Sequence, residues 1–193
     1  MKNVYEECPT LENESFKLRL VEMADAPDLL KVYSDEKAVP FFNSDNCDGD
    51  DFYYRTLERM EKGIEFWLWA YKDKGFVRWS ILDKASNEAV GTIELFHRDS
   101  EDYFNHCGLL RLDLRSDYER KDRIVEILSL IMEQAYDLFD CTMLATKAIP
   151  SALERRMALE TLEYQETGEM LVSPKGIKYG DYWSCHAPER AQK

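Results

Sequence analysis

The stretch "DYERKDRIVEILSLIMEQAYDLF", residues 117–139, sets a charged turn directly before an amphipathic helix. That arrangement suits an anion, because a helix N-terminus offers unbonded N–H groups and about half a positive charge to a phosphate. Turns that cradle phosphate normally contain glycine, which lets backbone approach the ligand closely. This turn has none, and Glu119 and Asp122 stand in it among Arg120, Lys121 and Arg123. With Arg115 and Asp117 included, four positive charges face three negative ones, so phosphate is not repelled outright. Cysteine chemistry has no support: Cys8, Cys47, Cys107, Cys141 and Cys185 are odd in number and scattered, with no CxxC pair and no Cys–His motif. That pattern suggests neither a zinc site nor a disulfide framework, and points to a cytoplasmic protein with reduced thiols.

The elements that position these residues come from a chain of 193 residues, 45 % hydrophobic and 33 % charged, enough for one domain with a sizeable core. A formal net charge of −13 weighs against a nucleic-acid partner and favours cationic or neutral ones. No apolar run approaches the roughly 18 residues that would span a bilayer, and no signal peptide is evident. Phe16, Leu18 and Leu20 alternate with Lys17 and Arg19, which predicts a strand. A helix should follow, capped by Asp25, with Leu29, Leu30 and Tyr33 facing inward. A second helix is expected from about Asp51 to Lys62, extended through "IEFWLWAYK". The runs "FVRWSILD" and "AVGTIELFHR" read as a hairpin joined by "KASNE", and "CGLLRLDL" as a third strand. The helix over 120–139 carries Ile124, Ile127, Leu128, Ile131, Ala135 and Leu138 on one face. "CTMLATKAI", "SALERRMALETL" and "KYGDYWSCHA" then predict strand, helix and strand. The order β-α-α-β-β-β-α-β-α-β is that of an α+β domain with a mixed central sheet flanked by helices.

That order, with "LRLVEMADAPDLLKVYSD", "WSILDKASNEAVGTIELF", "LRLDLRSDYERKDRIVEIL" and "ALETLEYQETGE" in place, resembles the GNAT N-acetyltransferase family. The branch it is most similar to contains the ribosomal-protein N-terminal alanine acetyltransferases. The resemblance covers about residues 16–185 of a single domain spanning 1–193. It implies acetyl-CoA as donor, a primary amine as acceptor, and a pantetheine arm lying between splayed strands Gly108–Leu114 and Cys141–Ala148. On this reading the donor would meet Leu112, Asp113 and Leu114, and its pyrophosphate would meet Arg120, Lys121, Asp122, Arg123 and Ile124.

The family's phosphate turn reads Arg/Gln-x-x-Gly-x-Gly/Ala, and here those positions fall on Glu119, Asp122 and Ile124. A carboxylate about 6 Å from a phosphate charge costs about 3 kcal/mol at an effective dielectric near 20. After Pro150 the family often has Pro-x-Asn-x-x-Ser, and here Ala152 and Arg155 take the asparagine and serine positions. The tyrosine that often protonates the departing thiolate has no counterpart in "SALERRMALETLE", since Tyr164 lies beyond it.

Transfer to an amine also needs a general base, and Glu94 and His97 are the candidates, with Asp113 a weaker one. His106 and His186 read as surface histidines. The aromatic set Phe41, Phe42, Tyr53, Tyr54, Trp67 and Trp69 lies in the region that covers the acceptor in the family. Two functions stay open. One is acetyl transfer to a small cationic amine, an amino sugar or a peptide N-terminus; the other is a GNAT-fold binding or scaffold protein without cofactor. A homodimer is compatible with the resemblance, although no residue pattern demonstrates one.

Overall fold

The computed structural model describes residues 3–187. A short strand β1 (Leu11–Glu12) pairs with β2 (Phe16–Leu20), whose buried Phe16 and Leu18 alternate with half-exposed Lys17 and Arg19. One 3₁₀ turn later comes α1 (Ala26–Tyr33). Asp25 does not cap this helix with its side chain. Its carboxylate is held instead by Arg19 at 2.6 and 2.9 Å and by the Ser80 hydroxyl at 2.6 Å.

The second helix, α2 (Leu57–Lys72), begins six residues later than the sequence suggests. Asp50 and Asp51 accept the N–H groups of Phe52 and Tyr53, and those local turns compete with a helix. Thr56 then caps α2 by accepting the Arg59 N–H. The hairpin forms as expected from β3 (Val77–Asp83) and β4 (Ala89–Arg98), and Asn87 takes a positive φ of 58° in its turn. Strand β5 (Cys107–Leu114), helix α3 (Lys121–Leu138), strand β6 (Met143–Lys147) and helix α4 (Leu153–Thr161) follow. The chain closes with β7 (Gln165–Glu166), the hairpin of β8 (Leu171–Val172) and β9 (Lys178–Tyr179), and β10 (Tyr182–His186).

The main sheet runs β1-β2-β3-β4-β5-β6-β10-β7, antiparallel except for the β5–β6 pair. Alternation gives it two unlike faces. Trp79, Ile93, Leu95, Leu110 and Leu112 pack with Ile124, Ile127 and Ile131 of α3 in an apolar core. The opposite face of β3, β4 and β5, toward α1 and α2, presents buried Arg78, Ser80, Thr92, Glu94, Arg111 and Asp113. β4 and β5 approach closely at Gly91, where a Cβ would stand 2.3 Å from the Asp113 carbonyl oxygen. β5 and β6 pair only from Cys107–Met143 to Leu110–Thr146, so residues 111–114 of β5 part from β6 and leave a cleft.

Candidate functional site

The cleft between β5 and β6 is bounded by the turn before α3 and by the start of α4, and side chains of the chain itself fill it. Arg155 of α4 donates from Nε and Nη2 to the Glu119 carboxylate, both at 2.7 Å. Its Nη1 donates to the carbonyls of Leu112 (2.9 Å) and Phe41 (3.0 Å). Only 3 % of the Arg155 side chain and 7 % of Glu119 are exposed. Burial alone would push the Arg155 pKa down, yet Glu119 outweighs it and holds the guanidinium above its usual range. One residue earlier, Glu154 Oε2 accepts the Lys121 N–H at 2.7 Å. A carboxylate from α4 thus sits at the N-terminus of α3, where the backbone would otherwise bind an anion.

The residues expected around the turn are dispersed. Arg120, Lys121 and Asp122 are exposed, and Arg120 pairs with Asp122 at 3.5 Å. The Arg123 guanidinium lies 5.7 Å from the Phe16 ring centroid and pairs with Glu126. Ile124 is buried in the apolar core, as are the side chains of Leu112 and Leu114. Asp113 turns to the other face, where Tyr33 and Arg78 donate to its Oδ2 at 2.7 and 3.1 Å.

On that other face Glu94 lies between two guanidinium groups. Arg78 donates to its Oε2, and Arg111 donates to its Oε1 at 2.7 Å. Arg78 also donates to Tyr33 and Thr92, and its guanidinium carbon stands 4.2 Å from the Trp67 ring centroid. Burial pushes the Glu94 carboxyl up, but Arg78 and Arg111 together outweigh it and hold the pKa below the usual range. For Asp113 burial wins, and its pKa is raised. Arg78 Nε, Arg111 Nε and Asp113 Oδ1 are buried without a hydrogen-bond partner.

A cavity of about 390 Å³ opens beside this network, lined by Tyr54, Phe66, Trp67, Phe76, Glu94 and Arg111 among others. Of the expected aromatic set, Tyr54 and Trp67 line it. Phe42 packs on Tyr33, Phe41 lends its carbonyl to Arg155, Tyr53 donates to Glu36, and Trp69 is exposed against Phe66. Phe52, Phe66 and Phe76 complete the wall, although the sequence did not single them out. The two candidate bases are not brought together. Glu94 lines the cavity, whereas His97, three residues on, projects from the α3 face of β4 and bonds the Phe139 carbonyl through Nδ1.

The Acetyltransferase (GNAT) domain family matches residues 16–164, most of the chain. The chain belongs to that family. Acyl transfer is the class of chemistry that this membership carries. No curated protein matches the chain. Its fold is shared by the ribosomal-protein-S5-alanine acetyltransferase of Vibrio fischeri, at 14 % identity and a TM-score of 0.64 over 94 % of this chain and 98 % of that one. Mycobacterium smegmatis RimJ in complex with CoA-disulfide shares it at 14 % identity and a TM-score of 0.67, over 95 % and 88 % of the two chains. A GNAT-family acetyltransferase of Bacillus anthracis does so at 14 % identity and 0.66, over 92 % and 98 %.

In this conformation the residues in the cleft do not fit the cofactor that the family implies. Arg155 occupies the Leu112 carbonyl, and Glu154 occupies the first N–H of α3. Either residue would have to leave before a pantetheine arm or a pyrophosphate could make those contacts. The sequence carried a trace of this arrangement: a carboxylate, Glu119, stands where the family has Arg or Gln, and a guanidinium, Arg155, stands where it often has Ser.

Proposed function

We propose that this chain carries the family's acetyl transfer, with a primary amine as acceptor, only in a state in which the Arg155–Glu119 pair has opened. The conformation described here is a closed form that leaves the acceptor side available. The observation that carries this reading is the buried, bidentate Arg155–Glu119 pair across the β5–β6 cleft. Removing one member of a buried pair commonly costs about 3–5 kcal/mol. An opening penalty of about 3 kcal/mol lowers apparent cofactor affinity by roughly two orders of magnitude. The cavity beside Glu94 supports an acceptor with an aromatic or aliphatic body, and the net charge of −13 favours a cationic one. The five cysteines are all free, which supports a reducing, cytoplasmic setting. Among the described residues no helix is long and apolar enough to cross a membrane.

A second reading is a binding or scaffold protein that has given up the cofactor altogether. Ile124, locked in the core at the last motif position, favours it, because removing the ion pair does not restore a small residue there. Titration with acetyl-CoA, for wild type and for the double variant Glu119→Gln/Arg155→Ser, separates the two. The closed-cleft reading expects the double variant to bind at least about 100-fold more tightly than wild type. Equal affinity in both proteins would show that the pair is no barrier. Absence of binding by both at millimolar cofactor would establish the scaffold reading.

A further inference from the structure

Away from the cleft, the β4–β5 connection gathers two imidazoles and a carboxylate. His97 is near the end of β4, Asp99 follows it, and His106 immediately precedes β5. The antiparallel register pairs His97 with Gly108 and Arg98 with Cys107, so the chain returns beside its own starting point. His97 Nε2 lies 3.0 Å from Asp99 Oδ1, and His106 Nδ1 lies 3.5 Å from the same oxygen. The three ligand atoms all fall within 4.8 Å of one another, with the two rings edge to face at 5.0 Å.

We propose that His97, Asp99 and His106 form a binding site for a divalent first-row transition-metal ion, with zinc the best match. Four-coordinate zinc holds nitrogen and carboxylate oxygen at about 2.0–2.2 Å, so neighbouring ligand atoms stand roughly 3.3 Å apart. The two distances to Asp99 Oδ1 bracket that value, and the two imidazole nitrogens, within 4.8 Å of each other, form the third side of the triangle. His97 has the accompanying contact that metal-ligating histidines normally show: its Nδ1 is 2.7 Å from the Phe139 carbonyl, which fixes the ring and aims Nε2 at the site. Two imidazoles with one carboxylate select zinc or its neighbours over calcium and magnesium, which prefer all-oxygen shells.

The loop is already braced for such a site. Arg98 holds Asp102 through two 2.7 Å bonds and also bonds the Phe104 and Val172 carbonyls, and Phe104 is fully buried. Asp99 is 73 % exposed and His106 42 %, so water can complete the coordination sphere. Asp99 to Asp102 also line a second cavity of about 540 Å³, whose wall a bound ion would pin to β4.

The full chain is titrated with Zn²⁺ by calorimetry, and with Co²⁺ by its visible absorption. Wild type is expected to bind one ion, with affinity falling at least tenfold in Asp99→Asn and in His106→Ala. Both residues are exposed, so both variants should fold, and their circular dichroism checks this. His186→Ala, a histidine on β10, should bind as wild type does. Failure of wild type to bind at millimolar ion would overturn the proposal. So would wild-type affinity in Asp99→Asn and His106→Ala, which would place the ion elsewhere.

Discussion

The two faces of the central sheet solve burial in opposite ways. Toward α3 the strands present aliphatic and aromatic side chains that pack on Ile124, Ile127 and Ile131. Toward α1 and α2 the same strands bury Arg78, Glu94, Arg111 and Asp113 under Tyr33 and Trp67. An apolar face gains stability from every group it removes from water, and it tolerates conservative change. A buried ionic face gains little net stability, yet it fails sharply when one partner is removed. The apolar face holds the fold, and the polar face, beside the aromatic cavity, holds one geometry.

The largest expected effect breaks the polar face. Arg78→Ala should lower unfolding free energy by about 3–5 kcal/mol in urea denaturation, because it leaves Glu94 and Asp113 buried without their shared cation. Ile131→Val on the other face should cost only about 0.5–1.5 kcal/mol. If the two losses prove equal, the contrast between the faces is wrong.

A pH experiment sharpens it next. The folded pKa of Glu94 lies below its ordinary 4.5, so its stabilising contribution is full above that value and is lost as pH falls through the folded one. Wild-type stability should therefore decline on acidification below about pH 4.5 more steeply than that of Glu94→Gln, while Ile131→Val should parallel wild type. Parallel curves for all three would remove Glu94 from the account. The smallest effect is expected at the turn. Asp122 is exposed in a loose pair with Arg120, so Asp122→Asn should leave the urea unfolding midpoint where wild type has it, and leave acetyl-CoA binding unchanged while Arg155 remains. A marked gain in binding from Asp122→Asn alone would shift the barrier from the ion pair to the turn.

Sequence periodicity disclosed the apolar face well. The alternation in "AVGTIELFHR" and "CGLLRLDL" marked β4 and β5 at their observed ends, and the α3 stripe named the residues that pack beneath them. The polar face was hidden in the same words. A buried Glu94 and a solvent-facing one leave the same alternation, and only packing under α1 and α2 distinguishes them. The cleft between β5 and β6 was half visible. Glu119 and Arg155 each stood out as departures from a motif, but 36 residues separate them and only the fold joins them. His97 read as a candidate base and His106 as a surface histidine, two unconnected positions until the return of the chain set them side by side.

The Arg155 side chain can be regarded as a ligand that the protein carries on a tether. Its four hydrogen bonds are made within one chain, so no dilution weakens them. A tethered competitor acts at an effective concentration that is millimolar even for a flexible linker, and α4 is not flexible linker but packed helix. An incoming molecule must outcompete that constant presence, whatever its own abundance. On the closed-cleft reading, entry therefore asks either for correspondingly more of the incoming molecule or for a change that makes α4 lift a single residue.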